Sequence, residues 1–371
     1  ERGEAALASA AYARALQLTH DPALRSALKV DLGSAYVNLA DERGVLFLEQ
    51  ALQELDGTTQ GKQAVMAMLW LARHYHLCAQ YTQALAYLEQ VRTLIEPLAD
   101  APLLRLFYGS MAIVLMYSAR FEESMVWARR GVQLGEAQQD ARAVVLGFLY
   151  LAENSEYLGR WQDTAEFGSR GRQAARQAGW HSMEVWTDLE RLVVAYYRGE
   201  LEAGSQLAHD CLAAAHDLDE RRALLHTQKL LVLIDSARGL EEEAYRLGAA
   251  AVREVDAVVG VGIRCWIRLA LAGLQMQRSE WEQAAALYEE CTALLAGGEN
   301  RVIQMELGAP MAEAYVALGR VEDAAALIAE TLALTEAAGA RHYAAVAQRV
   351  HGLVCAAQGR DDDALAACAR A

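Results

Sequence analysis

The residues whose types could do chemistry are few and poorly spaced for it. His74 and His76 stand two apart, so a helix sends them to different sides, whereas metal-binding pairs sit three or four apart. His181 and Glu184 have a usable spacing but no third ligand beside them, and they read as a surface pair. The run Asp361-Asp362-Asp363 lacks the spaced oxygen ligands and fixed turn of a calcium loop and reads as a solvated helix N-terminus. "GVG" at 260–262 follows no strand and lacks the remaining glycine of a dinucleotide fingerprint, and no phosphate-loop motif occurs. No constellation that an enzyme requires is legible, and neither a metal nor a cofactor is implied.

Composition narrows the class further. The formal charge is −15, and only Lys29, Lys62 and Lys229 are lysines, so an acidic surface would repel a phosphate backbone and direct nucleic-acid binding is not expected. Apolar stretches such as "AVVLGFLYLA" at 143–152 fall well short of the ~18 residues a spanning helix needs, so no membrane association is expected. Six cysteines without a C-x-x-C pair suit a reduced, cytoplasmic setting. Abundant alanine, four prolines and the lack of alternating β-branched runs favour helix throughout.

Those helices must be arranged by a repeat. The segments "AQYTQA" (79–84), "ARFEES" (119–124), "GRWQDT" (159–164), "GELEAG" (199–204), "GLEEEA" (239–244), "SEWEQA" (279–284), "GRVEDA" (319–324) and "GRDDDA" (359–364) recur every forty residues. Their first residue is small, as a tight or left-handed helix end requires. Their last residue is never larger than Thr, which suits two helix backbones in close approach. An apolar helix precedes each turn and an amphipathic helix follows it, so each unit is a hairpin that buries its face only by stacking. Cys211 and Cys291 fall in a column of small residues, with Gly131, Gly171, Ala251 and Thr331, and read as core. Arg191 and Asp235 break apolar or small columns and are read first as register drift, with charges presented deliberately as a site the alternative, while Pro310 is expected to delay or kink its helix.

Leu71-Ala72 with Tyr75, Ala79, Tyr81 and Ala84 carry a pattern that resembles the tetratricopeptide repeat. So do Met311-Ala312 with Tyr315, Gly319 and Ala324, and Leu32-Gly33 with Tyr36. The ordinary repeat has 34 residues. At forty, this one is similar to the C-terminal sensor regions of bacterial multidomain regulators, such as transcription activators of the maltose-activator type and ATPase-linked class III nucleotidyl cyclases. The resemblance implies an all-α, right-handed superhelical solenoid of antiparallel helix pairs. Residues 1–371 are expected to form one solenoid of about nine hairpins, and the phase of both ends suggests a fragment of a longer chain.

The resemblance also implies that the first helix of each hairpin lines a concave groove. Carried along the period, its ligand-facing positions include Arg73, His76, Met116, Tyr117, Glu153, Glu156, Tyr157, Trp186, Tyr196, Tyr197, His226, Lys229, Trp266 and Met276, with Glu306 and Glu313 in the last set. Arg73, Lys229 and Arg349 lie too far apart for a clamp on an acidic tail. The expected function is a non-enzymatic sensor and scaffold that binds a protein, peptide or small effector and controls an attached output domain. The alternative is a constitutive assembly adaptor, and an enzyme ranks behind both.

Overall fold

A computed structural model describes residues 2–55, 61–256 and 260–371. The described residues are helical nearly throughout, and the chain divides into two compact units, up to Leu115 and from Met116 onward.

The first unit contains α1 (Arg2–Leu18), α2 (Pro22–Asn38), α3 (Arg43–Glu54), α4 (Gly61–Leu77), α5 (Tyr81–Ile95) and most of α6 (Ala101–Tyr117). Asp21 caps α2 by accepting from the Ala23 and Leu24 amides, and Pro22 occupies a position where no amide partner is needed. Val30, Val37, Leu48, Ala51, Ala67 and Leu71 form the core between α2, α3 and α4. Gly33 permits the contact with α3: a Cβ there would lie 2.6 Å from Leu48 Cγ.

The second unit continues with α7 (Phe121–Gln138), α8 (Ala141–Tyr157), α9 (Trp161–Gln177), α10 (His181–Tyr197), α11 (Leu201–Asp217), α12 (Arg221–Ala237) and α13 (Glu241–Val255). It is completed by α14 (Val261–Gln277), α15 (Trp281–Leu295), α16 (Arg301–Ala317), α17 (Val321–Ala337), α18 (Arg341–Ala357) and α19 (Asp361–Arg370). The even-numbered helices from α8 to α18 pack on one another as an inner layer, and the odd-numbered ones pack outside them.

The forty-residue beat is a backbone fact. The first residue of every turn segment, Ala79, Ala119, Gly159, Gly199, Gly239, Ser279, Gly319 and Gly359, has a positive φ between 57° and 80°. The closing column is fully buried from Ala84 through Ser124, Thr164, Gly204, Ala244 and Ala284 to Ala324. A larger side chain at Gly204 would run into Ile234 and Ala195. Outer helices such as α7, α13 and α19 open with acidic residues, which suits the positive end of a helix dipole.

Two expectations are corrected. Register drift at Arg191 and Asp235 does not occur, because α10 and α12 keep the phase of their neighbours. Both charges are paired instead: Asp235 with Arg238 at 3.0 Å, and Arg191 with Asp188 at 2.6 Å. Nor does Pro310 delay α16, which starts in phase at Arg301. Its missing amide withdraws one bond from the Glu306 carbonyl without ending the helix. Cys211 and Cys291 are buried core residues as expected. His181 and Glu184 form an exposed pair at 2.9 Å, joined by Arg176.

Candidate functional site

The two ends of the inner layer of the second unit touch through side chains. The first turn of α18 comes back against the end of α8 and the start of α9. Tyr343 lies 6.2 Å from Tyr157 between ring centroids, and His342 packs edge-on against Trp161 at 5.8 Å and Tyr197 at 4.9 Å. Trp161 in turn stacks on Tyr197 at 4.2 Å. A seam of aromatic rings thus borders an open-mouthed cavity of about 620 Å³ in the groove.

Its lining joins apolar and aromatic side chains, among them Leu233, Leu269, Met276, Trp281 and Tyr288, to Glu156, Lys229 and Glu306. Tyr197 keeps 38% of its surface accessible, and that surface faces the cavity. Glu156 and Glu306 are half-buried and line the same cavity.

Burial governs the electrostatics. Burial pushes Glu156 up to about 7, with Glu306 adding to the rise and Lys229 opposing it. Burial and the Glu156 charge push Glu153 up to about 8. Glu190 is raised well above the usual carboxylate range by burial, then by Glu156 and Glu153. Glu306 is raised by burial, although Lys229, Trp266, Tyr157 and Tyr343 favour its anion. His226 is driven well below its ordinary value by burial and by Lys229 and Arg222, so it is a neutral ring. It packs between Trp186, at 5.1 Å, and Trp266, at 5.0 Å.

Of the residues read from the period, Glu156, Tyr196, Tyr197, Lys229 and Met276 line the cavity together. Glu153, Tyr157, His226 and Trp266 surround Glu156, Lys229 and Glu306. Tyr117 packs on Trp266 at 6.4 Å, and Met116 is core at 2% exposure, which removes it from any ligand-facing surface. Arg73 and His76 belong to the first unit, where Arg73 lies over Trp70 and His76 beside Tyr81. Arg349 is engaged by Glu313 at 2.5 Å.

Sequence reasoning missed Trp161, Trp281, His342, Tyr343 and Glu190 as site residues. The first two stand at the third position of the turn segments "GRWQDT" and "SEWEQA". Glu190 falls in a column holding Trp70, Tyr150 and Leu230, outside the groove positions, so its charge alone was the available signal. Among the described residues no cluster of His, Cys, Asp and Glu is arranged to hold a metal ion, and no helix is long and apolar enough to cross a membrane.

No protein-family model matches the chain. It is 26% identical over 155 residues to the mitochondrial tetratricopeptide repeat protein 19 of Rattus norvegicus, a match covering 38% of this chain and 41% of that one. The chain thus spans about two-fifths of the length of that relative. Among solved structures it is similar to a Rap protein complexed with competence and sporulation factor, with a TM-score of 0.59, 11% identity and coverage of 90% of this chain and 99% of that one. It is also similar to a signal transduction ATPase with numerous domains from Pyrococcus horikoshii that carries a tetratricopeptide repeat sensor. There the TM-score is 0.50 at 13% identity, covering 91% of this chain and 52% of that one. Helix pairs in a fixed beat, left-handed turns and these likenesses establish that the chain has the fold of a tetratricopeptide-type helical solenoid.

Proposed function

We propose that this chain is the non-catalytic sensor region of a bacterial signalling regulator, acting in the cytoplasm and passing the occupancy of its second unit to an attached output domain. The observation that carries the reading is the cavity of about 620 Å³, with aromatic walls and one lysine set among glutamates. That volume falls in the range of sites for small ligands or a few peptide residues, and convergent polar groups on apolar walls are what such sites use to orient a guest. Support in kind comes from the Rap protein, solved with competence and sporulation factor, and from the ATPase whose repeat region is described as a sensor.

Thermal denaturation with panels of short peptides and small effectors tests it. A guest that binds only the folded state raises Tm with concentration, by an amount set by its affinity. The expected result is such a shift, lost on Tyr197→Ala. If no peptide or effector shifts Tm while a partner protein co-purifies, the constitutive adaptor is the correct reading.

A further inference from the structure

The inner wall of the second unit carries more carboxyl groups than cations to pair with them. Glu156, Glu190 and Glu306 stand on α8, α10 and α16, and Lys229 on α12 is the cation whose field reaches all three. Glu153, one turn before Glu156, is favoured as an anion by Arg222. Among the described residues none of these four carboxylates sits in an ion pair, and two buried oxygens, Glu153 Oε2 and Glu190 Oε2, accept no hydrogen bond. Glu190 is 6% exposed.

An unpaired buried carboxylate is costly, and protein interiors normally provide it with a donor or avoid it. The cavity beside them is itself lined by three carboxylates, Glu156, Glu306 and Glu313, against one lysine, Lys229. Lys229 sets its ammonium 5.6 Å from the centroid of the Trp266 ring. A guest anion attracted to Lys229 would meet three carboxylates around that single positive charge. A guest cation would meet the opposite balance, along with π-faces that attract positive charge.

We propose that the cavity takes a small organic cation, an ammonium or guanidinium group on an aromatic or apolar body, with its charge held between Glu156 and Glu306. The body lies along Tyr197, Leu233, Met276 and Trp281. This assignment rests on the reading of the cavity as a binding site and adds the charge of its occupant.

Three probes with one skeleton separate charge from apolar fit: phenethylamine, phenethyl alcohol and phenylacetate. Each is titrated calorimetrically into the full chain, with tryptophan fluorescence as a second readout. The amine should bind at least about ten-fold more tightly than the alcohol, the scale of one charge-assisted hydrogen bond, and the acid should bind least. Glu156→Gln and Glu306→Gln, each checked for an unchanged helical spectrum, should erase that preference. Lys229→Met should strengthen amine binding, an effect that mere loss of folding does not produce. Equal affinity for amine and alcohol, a preference for the acid, or no amine binding at all would overturn the cation assignment. The peptide and effector panel decides separately whether the cavity binds anything.

Discussion

His342 packs edge-on against Tyr197, with ring centroids 4.9 Å apart, although the two lie on α18 and α10, hairpins well separated along the chain. With the Tyr157–Tyr343 and Trp161–His342 contacts, it joins distant parts of a curved inner surface.

Removing that contact has a measurable cost. Aromatic pairs contribute about 0.5–1.5 kcal/mol beyond the area they bury. His342→Ala should therefore destabilise the second unit by about 1–2 kcal/mol in chemical denaturation and speed amide exchange in α18 and α19. Unchanged exchange there would mean that the seam does not hold those parts together.

The turn positions offer a test with opposite signs. Gly199 has φ 72° and open space where a Cβ would go, so Gly199→Ala adds only backbone strain and should cost about 1 kcal/mol. Ser279 sits at φ 59° without being glycine, and Ser279→Gly should be neutral or stabilising. Equal effects of the two substitutions would contradict the left-handed assignment.

Gly308 tests the close approach of α16 and α17. A Cβ there would fall 1.9 Å from Thr331 Oγ1, so Gly308→Ala should destabilise by about 1–3 kcal/mol through overpacking. Because the clash is with one side chain, Thr331→Ala should restore part of the loss, and a double-mutant cycle should show strong coupling. Additive effects would place the strain elsewhere.

The pH dependence of stability follows from the buried groups. Glu153 and Glu156 ionise at about 8 and about 7 in the folded chain against an ordinary 4.5, and Glu190 and Glu306 are shifted in the same sense. Between about pH 4.5 and 8 the folded state therefore holds protons the unfolded chain has released, and stability falls as pH rises. His226 and His342, both lowered mainly by burial, act oppositely up to their ordinary value of 6.5, because the unfolded chain takes up those protons first. Lys229 and Arg222 favour the glutamate anions, and Tyr157 and Tyr343 stay neutral throughout the window. The expected result is a Tm that falls from about pH 7 to about pH 8, where the histidine contributions no longer change. Combining Glu153→Gln with Glu156→Gln should flatten that fall, and an unaltered slope in the double variant would show that other groups cause it.

Much of the architecture was legible because its signals are local. A residue at positive φ favours glycine or a small side chain wherever it stands, and a backbone contact requires a small side chain at one column. Both requirements repeat every forty residues, so the helix bounds could be placed by counting. The groove columns also led to Glu153, Glu156, Tyr197 and Lys229. Arg191 and Asp235 misled because their neutralising partners, Asp188 and Arg238, were each one helical turn away and went unweighed.

By itself the sequence determined the all-α hairpin stack, the position of each turn and which helix faces inward, since each follows from residues close together in the chain. The tertiary structure alone decided that the inner layer of the second unit meets itself, that His342 and Tyr343 belong beside Trp161 and Tyr157, and that four carboxylates share one lysine-bearing wall. Curvature in a stack of hairpins accumulates from a small rotation at every interface, and no single residue carries that sum.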